Sequence, residues 1–349
     1  MVVLVINSGS SSLKFGLLDT DEETALCKGL VERIGLPDSR FTYTPSGGEK
    51  TKITLSVETH RDAIAAAIEA ITHPDHGVID DMSAIHAVGH RIVHGGEAIQ
   101  SSCSLTPEVE RLIEEASPMA PLHNPANLMG VRAVRELLSE VPHVGVFDTA
   151  FHAQMPPVSY RIPINEEIYS RHGIRRFGFH GTSHQYVATR TAELLEKPLD
   201  GLNCIICHLG NGSSITAVKG GRSVDTSLGF GTMCGVPMGT RAGDVDPAVI
   251  LHLIQVIGMS PDEVSDLLYK SSGMKGISGL TNDMRDIEDA AQEGNKKAQL
   301  ALDLFTTGVR KYIGAYATHM DGALDAIVFT AGIGENGPEA RESICKGLE

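Results

Sequence analysis

Four side chains stand in surroundings that point them toward chemistry. Arg241 lies in "VPMGTRAGDVDP", among glycine, threonine and alanine. A long cation with such small neighbours is placed to reach into a cavity, and a guanidinium is a planar fork that matches carboxylate or phosphate. Arg91 lies in "AVGHRIVHGGE", which alternates as a strand. That period puts Arg91 and Val93 on one face and His90, Ile92 and His94 on the other. Beside the Gly-Gly turn Arg91 could enter a cleft; as an isolated arginine it could equally hold a surface ion pair. Asp148, in "VFDTAFH", follows a strand run, where α/β folds place functional groups, although a turn or cap would use the same residue. His180, in "RRFGFHGTSH", sits in a glycine-bounded loop before a helical pattern. Its imidazole could meet a ligand near the helix N-terminus, whereas His184, one turn on, could simply pack.

These groups need turns that bring backbone N–H groups to an anion. "VLVINSGSSSLKFGLL" and "IICHLGNGSSITAV" share one plan: an apolar strand, an Asn/Gly/Ser turn containing Gly-Ser-Ser, then a second strand. Each reads as a β-hairpin whose glycines allow close approach of a ligand to the backbone. The first lacks the G-x-x-x-x-G-K-[ST] spacing of a P-loop and has no helix pattern after it. Two ordinary hairpin turns would look similar, but simple turns rarely need successive hydroxyl and amide side chains ending in Lys14. The echo therefore implies a duplicated fold with one anion-binding turn per half, facing each other across a cleft. A third turn, in "AIVFTAGIGENGPEARESI", carries Gly332, Gly334 and Gly337 at dinucleotide-fingerprint spacing between a strand and a helix expected near Pro338. A dinucleotide site also needs an acidic residue about 20 positions further on. Binding of a mononucleotide's ribose or α-phosphate fits better.

Strand patterns at 2–6, 13–18, 143–147, 203–209, 214–218 and 325–330 alternate with helical ones, which implies an α/β fold. In "HRDAIAAAIEAI" Ile64, Ile68 and Ile71 recur at helical spacing. "HNPANLMGVRAVRELLSE" has Asn124 as N-cap, Pro125 at the first helical position, and Leu128, Val131, Val134 and Leu138 as its buried stripe. "GTSHQYVATRTAELLEK" is expected to be capped by Thr182 or Ser183. "SPDEVSDLLYKSSG" reads as a further capped helix.

With 349 residues, 42% hydrophobic and 21% charged, the chain suits two domains with their own cores. A net charge of −15 and the absence of tryptophan argue against a nucleic-acid partner, which calls for clustered cations and stacking platforms. No apolar run approaches the roughly 20 residues of a membrane span, and "MVVLVI" lacks the flanks of a signal peptide. A cytoplasmic location with six reduced cysteines is expected. "CIICH" at 204–208 matches a haem-attachment pattern, but within an apolar strand its cysteines read as small buried hydrophobes. His86, His90 and His94 are no metal site, because same-face strand positions four apart lie about 13 Å from one another.

Eight motifs in order, "NSGSSSLKF", "GHRIVHGGE", "PLHNP", "FDTAFH", "GFHGTSH", "CHLGNGSS", "MGTRAGDVDP" and "TAGIGEN", resemble the acetate and propionate kinase (acetokinase) family, from residue 2 to the last. The resemblance implies a duplicated actin-like, sugar-kinase-type (ribonuclease-H-like) fold with an interdomain cleft. Its domains would span 1–150 and 151–349, the latter binding nucleotide, and the chain would form a homodimer. It implies ATP- and Mg²⁺- (or Mn²⁺-) dependent phosphorylation of a short carboxylate, acetate first, to an acyl phosphate. Carried over motif by motif, Arg91 and Arg241 would bind the carboxylate and the phosphoryl in flight, and His180 would donate to its oxygens. Asp148 would orient substrate or metal. It need not be a strong base, since the attacking carboxylate is already ionised. Asn7 would approach Mg²⁺ through water. Lys14 with His208, Leu209, Gly210, Asn211 and Gly212 would cradle the phosphates. Asp283, Met284 and Arg285, with Gly332, Ile333, Gly334, Glu335 and Asn336, would hold the nucleoside. Val93 and Leu122 would line the pocket for the alkyl end.

This sequence departs from the family pattern in three places. "GTMCG" with Thr232 stands where a proline-containing stretch closes the alkyl pocket, which bears on acetate against propionate, although one methylene is worth only about 1–3 kcal/mol. Met284 stands where an aromatic is common. Family chains run on for some tens of residues past position 349, through a glutamate that helps bind Mg²⁺ and a last helix, so weak or no turnover is expected of residues 1–349 alone. A butyrate or sugar kinase would share the fold, but a sugar site wants clustered Asp, Asn and Glu. An actin-like nucleotide switch would want an added polymerising or peptide-binding region.

Overall fold

The N-terminal alternation folds as read, into β1 (Val2–Ser8) with Leu4, Ile6 and Ser8 buried. The computed structural model describes residues 1–121 and 123–348. β1 turns back antiparallel into β2 (Ser12–Asp19), pairing Asn7 with Lys14. β3 (Thr24–Glu32), β4 (Ser39–Pro45) and β5 (Thr51–Leu55) extend this meander. On the other side of β1 lies β6 (Ala87–Ile92), parallel to it, then β8 (His143–Phe147), parallel to β6, with β7 (Cys103–Ser104) at the edge. The eight strands run β5-β4-β3-β2-β1-β6-β8-β7.

A second sheet repeats the plan. β9 (Asn203–Leu209) and β10 (Ser213–Lys219) form the expected hairpin, and β11 (Arg222–Thr226) continues it. β12 (Ala326–Thr330) lies parallel to β9, giving the order β11-β10-β9-β12. An antiparallel three-strand meander with a parallel strand against its first member thus occurs twice, the duplicated actin-like, ribonuclease-H-like arrangement. Residue contacts group the chain into two units, Met1–Ala150 and Phe151–Glu349.

Each unit has its own core. In the first, Leu4, Leu13, Leu17 and Val88 pack with Ile64 and Ile71 of the helix His60–Ile71. A capping box between Thr59 and Asp62 opens that helix, satisfying two otherwise orphan backbone donors. Leu128, Val131, Val134 and Leu138 are all buried, as their spacing implies. Burial of each contributes about 1.5–3 kcal/mol. In the second unit Ile205, Cys207, Leu209 and Ile215 pack with the helix Lys296–Ala317 through Phe305, Val309 and Ile313. β9 is buried on both faces, and burial pushes the Cys204 thiol up to about 12. Cys207 is raised for the same reason, so neither is a ready thiolate.

Three local expectations are corrected. Asn124 is the first residue of the helix Asn124–Leu137 rather than its cap, because its amide is spent on the backbone of another segment. The helix Gly181–Leu194 has His180 as N-cap, in the left-handed region at φ 57°, and makes no side-chain capping bond. Neither Thr182 nor Ser183 caps it, since both lie inside the first turn. The "TAGIGEN" turn is itself a short helix, Ala331–Asn336, ahead of the helix Pro338–Cys345.

Candidate active site

In the first unit the pairing of β6 with β8 sets Arg91 beside Val146 and carries the chain on to Asp148. The Asp148 N–H donates to the Ile92 carbonyl at 2.9 Å. Asp148 is then gripped by the arginine fork: Nε donates to Oδ1 at 3.0 Å and Nη2 to Oδ2 at 2.7 Å. The Asp148 side chain is 3% exposed and that of Arg91 41%, so the carboxylate is buried behind a cation that still faces solvent. The nearby carboxylate raises the Arg91 pKa. Both carboxylate oxygens serve one edge of the guanidinium, which fixes its plane and leaves its second edge, with Nη1, to a ligand.

The segment after β6 is tied down by two asparagines, Asn124, which sequence reading took for a helix cap, and Asn127, which it did not single out. Asn127 Oδ1 accepts from the Val93 N–H at 3.0 Å, and its Nδ2 donates to the Ser8 carbonyl at 2.7 Å. Asn124 accepts from the His94 N–H at 3.1 Å and donates to the His94 and Ile113 carbonyls. The first turn of one helix therefore clamps the end of β1, next to Asn7, and the chain just past Arg91. The signal was present in "HNPAN", two amides three residues apart and hence on one helix face. Val93 itself is buried. Leu122 lies outside the described residues. Asn7 and the exposed Lys14 are register partners on one face of the hairpin.

In the second unit the Gly-Ser-Ser turn between β9 and β10 draws together His180 and Arg241. A Cβ built on Gly212 would lie 3.6 Å from Arg241 Nη1 and 3.6 Å from His180 Nε2. Both side chains thus reach the bare backbone of the turn. Arg241 Nη1 donates to the Thr232 carbonyl at 3.0 Å. The departure at Thr232 thus holds Arg241 through its backbone, whatever its side chain. Among the described residues Arg241 has no carboxylate partner, and desolvation lowers its pKa. His180 stacks on His208 with ring centroids 4.3 Å apart, and His208 Nδ1 is hydrogen-bonded to Ser183 Oγ at 2.8 Å. Leu209, fully buried, belongs to the core.

A cavity of about 770 Å³ opens beside this turn. It gathers Gly210, Asn211, Asp283, Met284, Arg285, Gly332, Ile333 and Asn336 of the expected nucleotide residues, together with Asn282. Asn282 Nδ2 donates to Asn211 Oδ1 at 3.0 Å. A Cβ on Gly239 would sit 1.8 Å from that same oxygen, so any side chain at position 239 would have to displace the Asn211 amide. Asp283 caps its helix and pairs with Arg285 at 2.6 Å, which lowers its carboxyl pKa. Gly334 and Glu335 do not line the cavity. Gly334 packs against Phe329, and Glu335 Oε1 turns back to accept from Thr330 Oγ1 and the Ala331 N–H.

Among the described residues no group of three or more His, Cys, Asp or Glu is gathered that could hold a metal ion. Asn7 offers one amide oxygen, and its register partner is a lysine. Mg²⁺ asks for six hard oxygen ligands and usually a carboxylate, so this donor set does not fit a resident ion. Among the described residues no helix is long and apolar enough to cross a membrane.

Residues 2–349 match the model of the Acetokinase family. The chain is 53% identical over 349 residues to an acetate kinase of Alkaliphilus metalliredigens, covering 100% of this chain and 88% of the relative. Its fold is similar to the crystal structure of Porphyromonas gingivalis acetate kinase, at TM-score 0.94 and 44% identity, over 99% of this chain and 87% of the other. It is also similar to a propionate kinase from Francisella tularensis, at TM-score 0.94 and 37% identity, over 99% and 88%.

Proposed function

The chain belongs to the acetokinase family, and from that premise we propose that it transfers the γ-phosphoryl group of ATP reversibly to acetate. The products are acetyl phosphate and ADP. One acetate oxygen forms a bond to the γ-phosphorus, and the bond from that phosphorus to the β,γ-bridging oxygen breaks. The acceptor is ionised at neutral pH, so no base has to remove a proton. The protein's work is positioning and charge neutralisation.

The observation that carries the reading is Arg241, a desolvated guanidinium without an acidic partner, beside His180 at the backbone of Gly212. A cation held that way is costly until an anion arrives, and a phosphoryl group gaining charge on its equatorial oxygens suits it. His180 donates to the same oxygens. Arg91, oriented by Asp148, binds the acceptor carboxylate through its second edge, with Val93 and Leu122 against the methyl group. Lys14 and the turn through Gly210, Asn211 and Gly212 neutralise the nucleotide phosphates. The cavity bounded by Asp283, Met284, Arg285 and Gly332 takes the nucleoside. Magnesium enters with the nucleotide, as MgATP, and Asn7 meets its hydration shell.

The surroundings proposed for this activity are cytoplasmic, in keeping with six free cysteines. A homodimer is proposed as well. Its support is an apolar helix, Pro247–Gln255, that leaves Val249 and Leu251 exposed, followed by exposed Val256 and Ile257.

The test is acyl phosphate formation by the full chain from MgATP and acetate, trapped with hydroxylamine as the hydroxamate, with propionate, butyrate and a hexose in parallel. Acetate is expected to react fastest and the hexose not at all. ADP release without any hydroxamate would overturn the reading.

A further inference from the structure

His180 does not stand alone in the second unit. Its Nδ1 lies 2.9 Å from Ser214 Oγ, and the same oxygen lies 2.7 Å from His184 Nε2. Ser214 and His184 are fully buried. Among the described residues these two ring nitrogens are the only hydrogen-bond partners of Ser214 Oγ, and His184 Nδ1 is buried with no partner at all. The hydroxyl has one proton to give and must place it.

We propose that Ser214 and His184 are positioning residues that fix the proton of His180. His184 Nε2–H donates to Ser214 Oγ, the Ser214 hydroxyl donates to His180 Nδ1, and His180 is held as the Nε2–H tautomer, its donor on the side of Gly212.

Two other arrangements of protons are possible, and each strands a buried donor. Reversing the relay puts the one His184 ring proton on Nδ1, where no acceptor among the described residues meets it. Letting Ser214 accept from both rings leaves its hydroxyl proton with no acceptor. A buried donor without a partner forfeits about 1–3 kcal/mol, and orphaned N–H groups are the rarest of such defects. The assigned direction leaves only one bare ring nitrogen, on His184. Burial, with His152, His208 and His180 nearby, pushes the His184 pKa well below its ordinary value, which agrees with a neutral ring and a single proton to place. The rings around it are fixed in turn: His152 Nε2 contacts the Phe179 carbonyl at 3.0 Å and its Nδ1 contacts Ser223 Oγ at 2.7 Å. A carbonyl only accepts, so that proton lies on Nε2.

The functional consequence rests on the reading of His180 as a donor to the transferred phosphoryl. In the other tautomer His180 would present a lone pair to phosphate oxygens and repel them. The relay makes the donor the resting state, with no proton to move on binding.

The test is long-range proton–nitrogen correlation NMR on the full, ligand-free chain labelled at histidine nitrogen, with His180→Gln and His184→Gln used for assignment. Protonated and bare ring nitrogens resonate far apart, so each ring reports its tautomer. The expected result is Nε2 protonated and Nδ1 bare on both His180 and His184. A protonated Nδ1 on His180 would overturn the proposal. In Ser214→Ala the expectation is a mixed His180 tautomer and a fall in kcat of roughly tenfold, with little change in the KM for MgATP. A pure Nε2–H His180 with undiminished kcat in that variant would equally overturn it. Should the variant fail to fold, the spectrum of the unaltered chain decides alone. An absence of acyl phosphate formation alongside the expected spectrum would sink the proposed function and leave the relay standing.

Discussion

Arg91 and Arg241 are the same residue type put to opposite electrostatic use. In the first unit the Asp148 carboxylate holds Arg91 by two hydrogen bonds and raises its pKa. In the second, Arg241 Nη1 is anchored to the Thr232 carbonyl and the Met238 sulfur, with no carboxylate among the described residues, and desolvation lowers its pKa. A paired arginine is a fixed ruler: its charge is largely answered, and it contributes orientation. An unpaired, desolvated one is a charge awaiting an anion, and contributes most where negative charge develops. The difference matches the division of labour proposed above, between an acceptor that is merely held and a phosphoryl group that passes through a transition state.

Removing Arg241 breaks this comparison most severely. Arg241→Ala should lower kcat by about 10²–10³, the loss seen when one transition-state donor is removed. Its KM values should change far less, and Arg241→Lys should recover little, because a point charge does not reproduce the fork. The fold should not suffer, since the variant removes a desolvated cation. Arg91→Ala should do the reverse. It strands Asp148 as a buried uncompensated charge and should destabilise the first unit by about 2–3 kcal/mol, less than for a fully buried pair because Arg91 is partly exposed. Urea unfolding of the two variants side by side measures the contrast.

Smaller effects sharpen it. Asn127→Ala frees the Val93 N–H and the Ser8 carbonyl at once. A loss of about 1–3 kcal/mol is expected, with a raised KM for the carboxylate and an unchanged KM for MgATP. Equal rises in both KM values would argue that the clamp does not belong to the acceptor side. Acid should weaken both units. Burial lowers His90 to about 3 and His94 to about 4 in the first, and His152 to about 4 in the second. Such rings are neutral when folded and take up a proton when unfolded below about pH 6.5. Their stability contribution is complete above that pH and is lost as pH falls toward 4, at up to about 1.4 kcal/mol per pH unit for each ring. Denaturant midpoints at about pH 7 and about pH 5 should differ accordingly, and His152→Gln should flatten the slope.

The first hairpin was legible because a strand with one buried face writes period two into the sequence, and its echo because β9 and β10, buried on both faces, read as a near-continuous apolar run around the Gly-Ser-Ser turn. The buried stripe from Leu128 to Leu138 was legible for the same reason at helical period. β3 and β5 were not, since their residues are largely part-exposed or charged and carry little alternation; β4 was passed over although Ser39, Phe41 and Tyr43 alternate as its buried face. Arg91 and Asp148 could be singled out separately from their neighbours, but not their union. They lie 57 residues apart and meet only because β6 and β8 are adjacent. The roles of Asn124 and Ser183 were misjudged for a related reason. Short polar side chains at a helix start look alike in sequence whether they cap the helix or serve a distant partner. The relay through Ser214 was invisible, because a serine in a strand carries no mark of what lies above it.

Steady-state kinetics of Arg91→Ala and Arg241→Ala, with acetate and MgATP each varied, tests the division of labour most directly. Arg91→Ala should raise the KM for acetate at least tenfold, an interaction worth about 1.4 kcal/mol, and leave the KM for MgATP in place. Arg241→Ala should lower kcat by the larger factor given above with both KM values near those of the unaltered chain. The same kinetic pattern in both variants, or the two patterns exchanged, would contradict it.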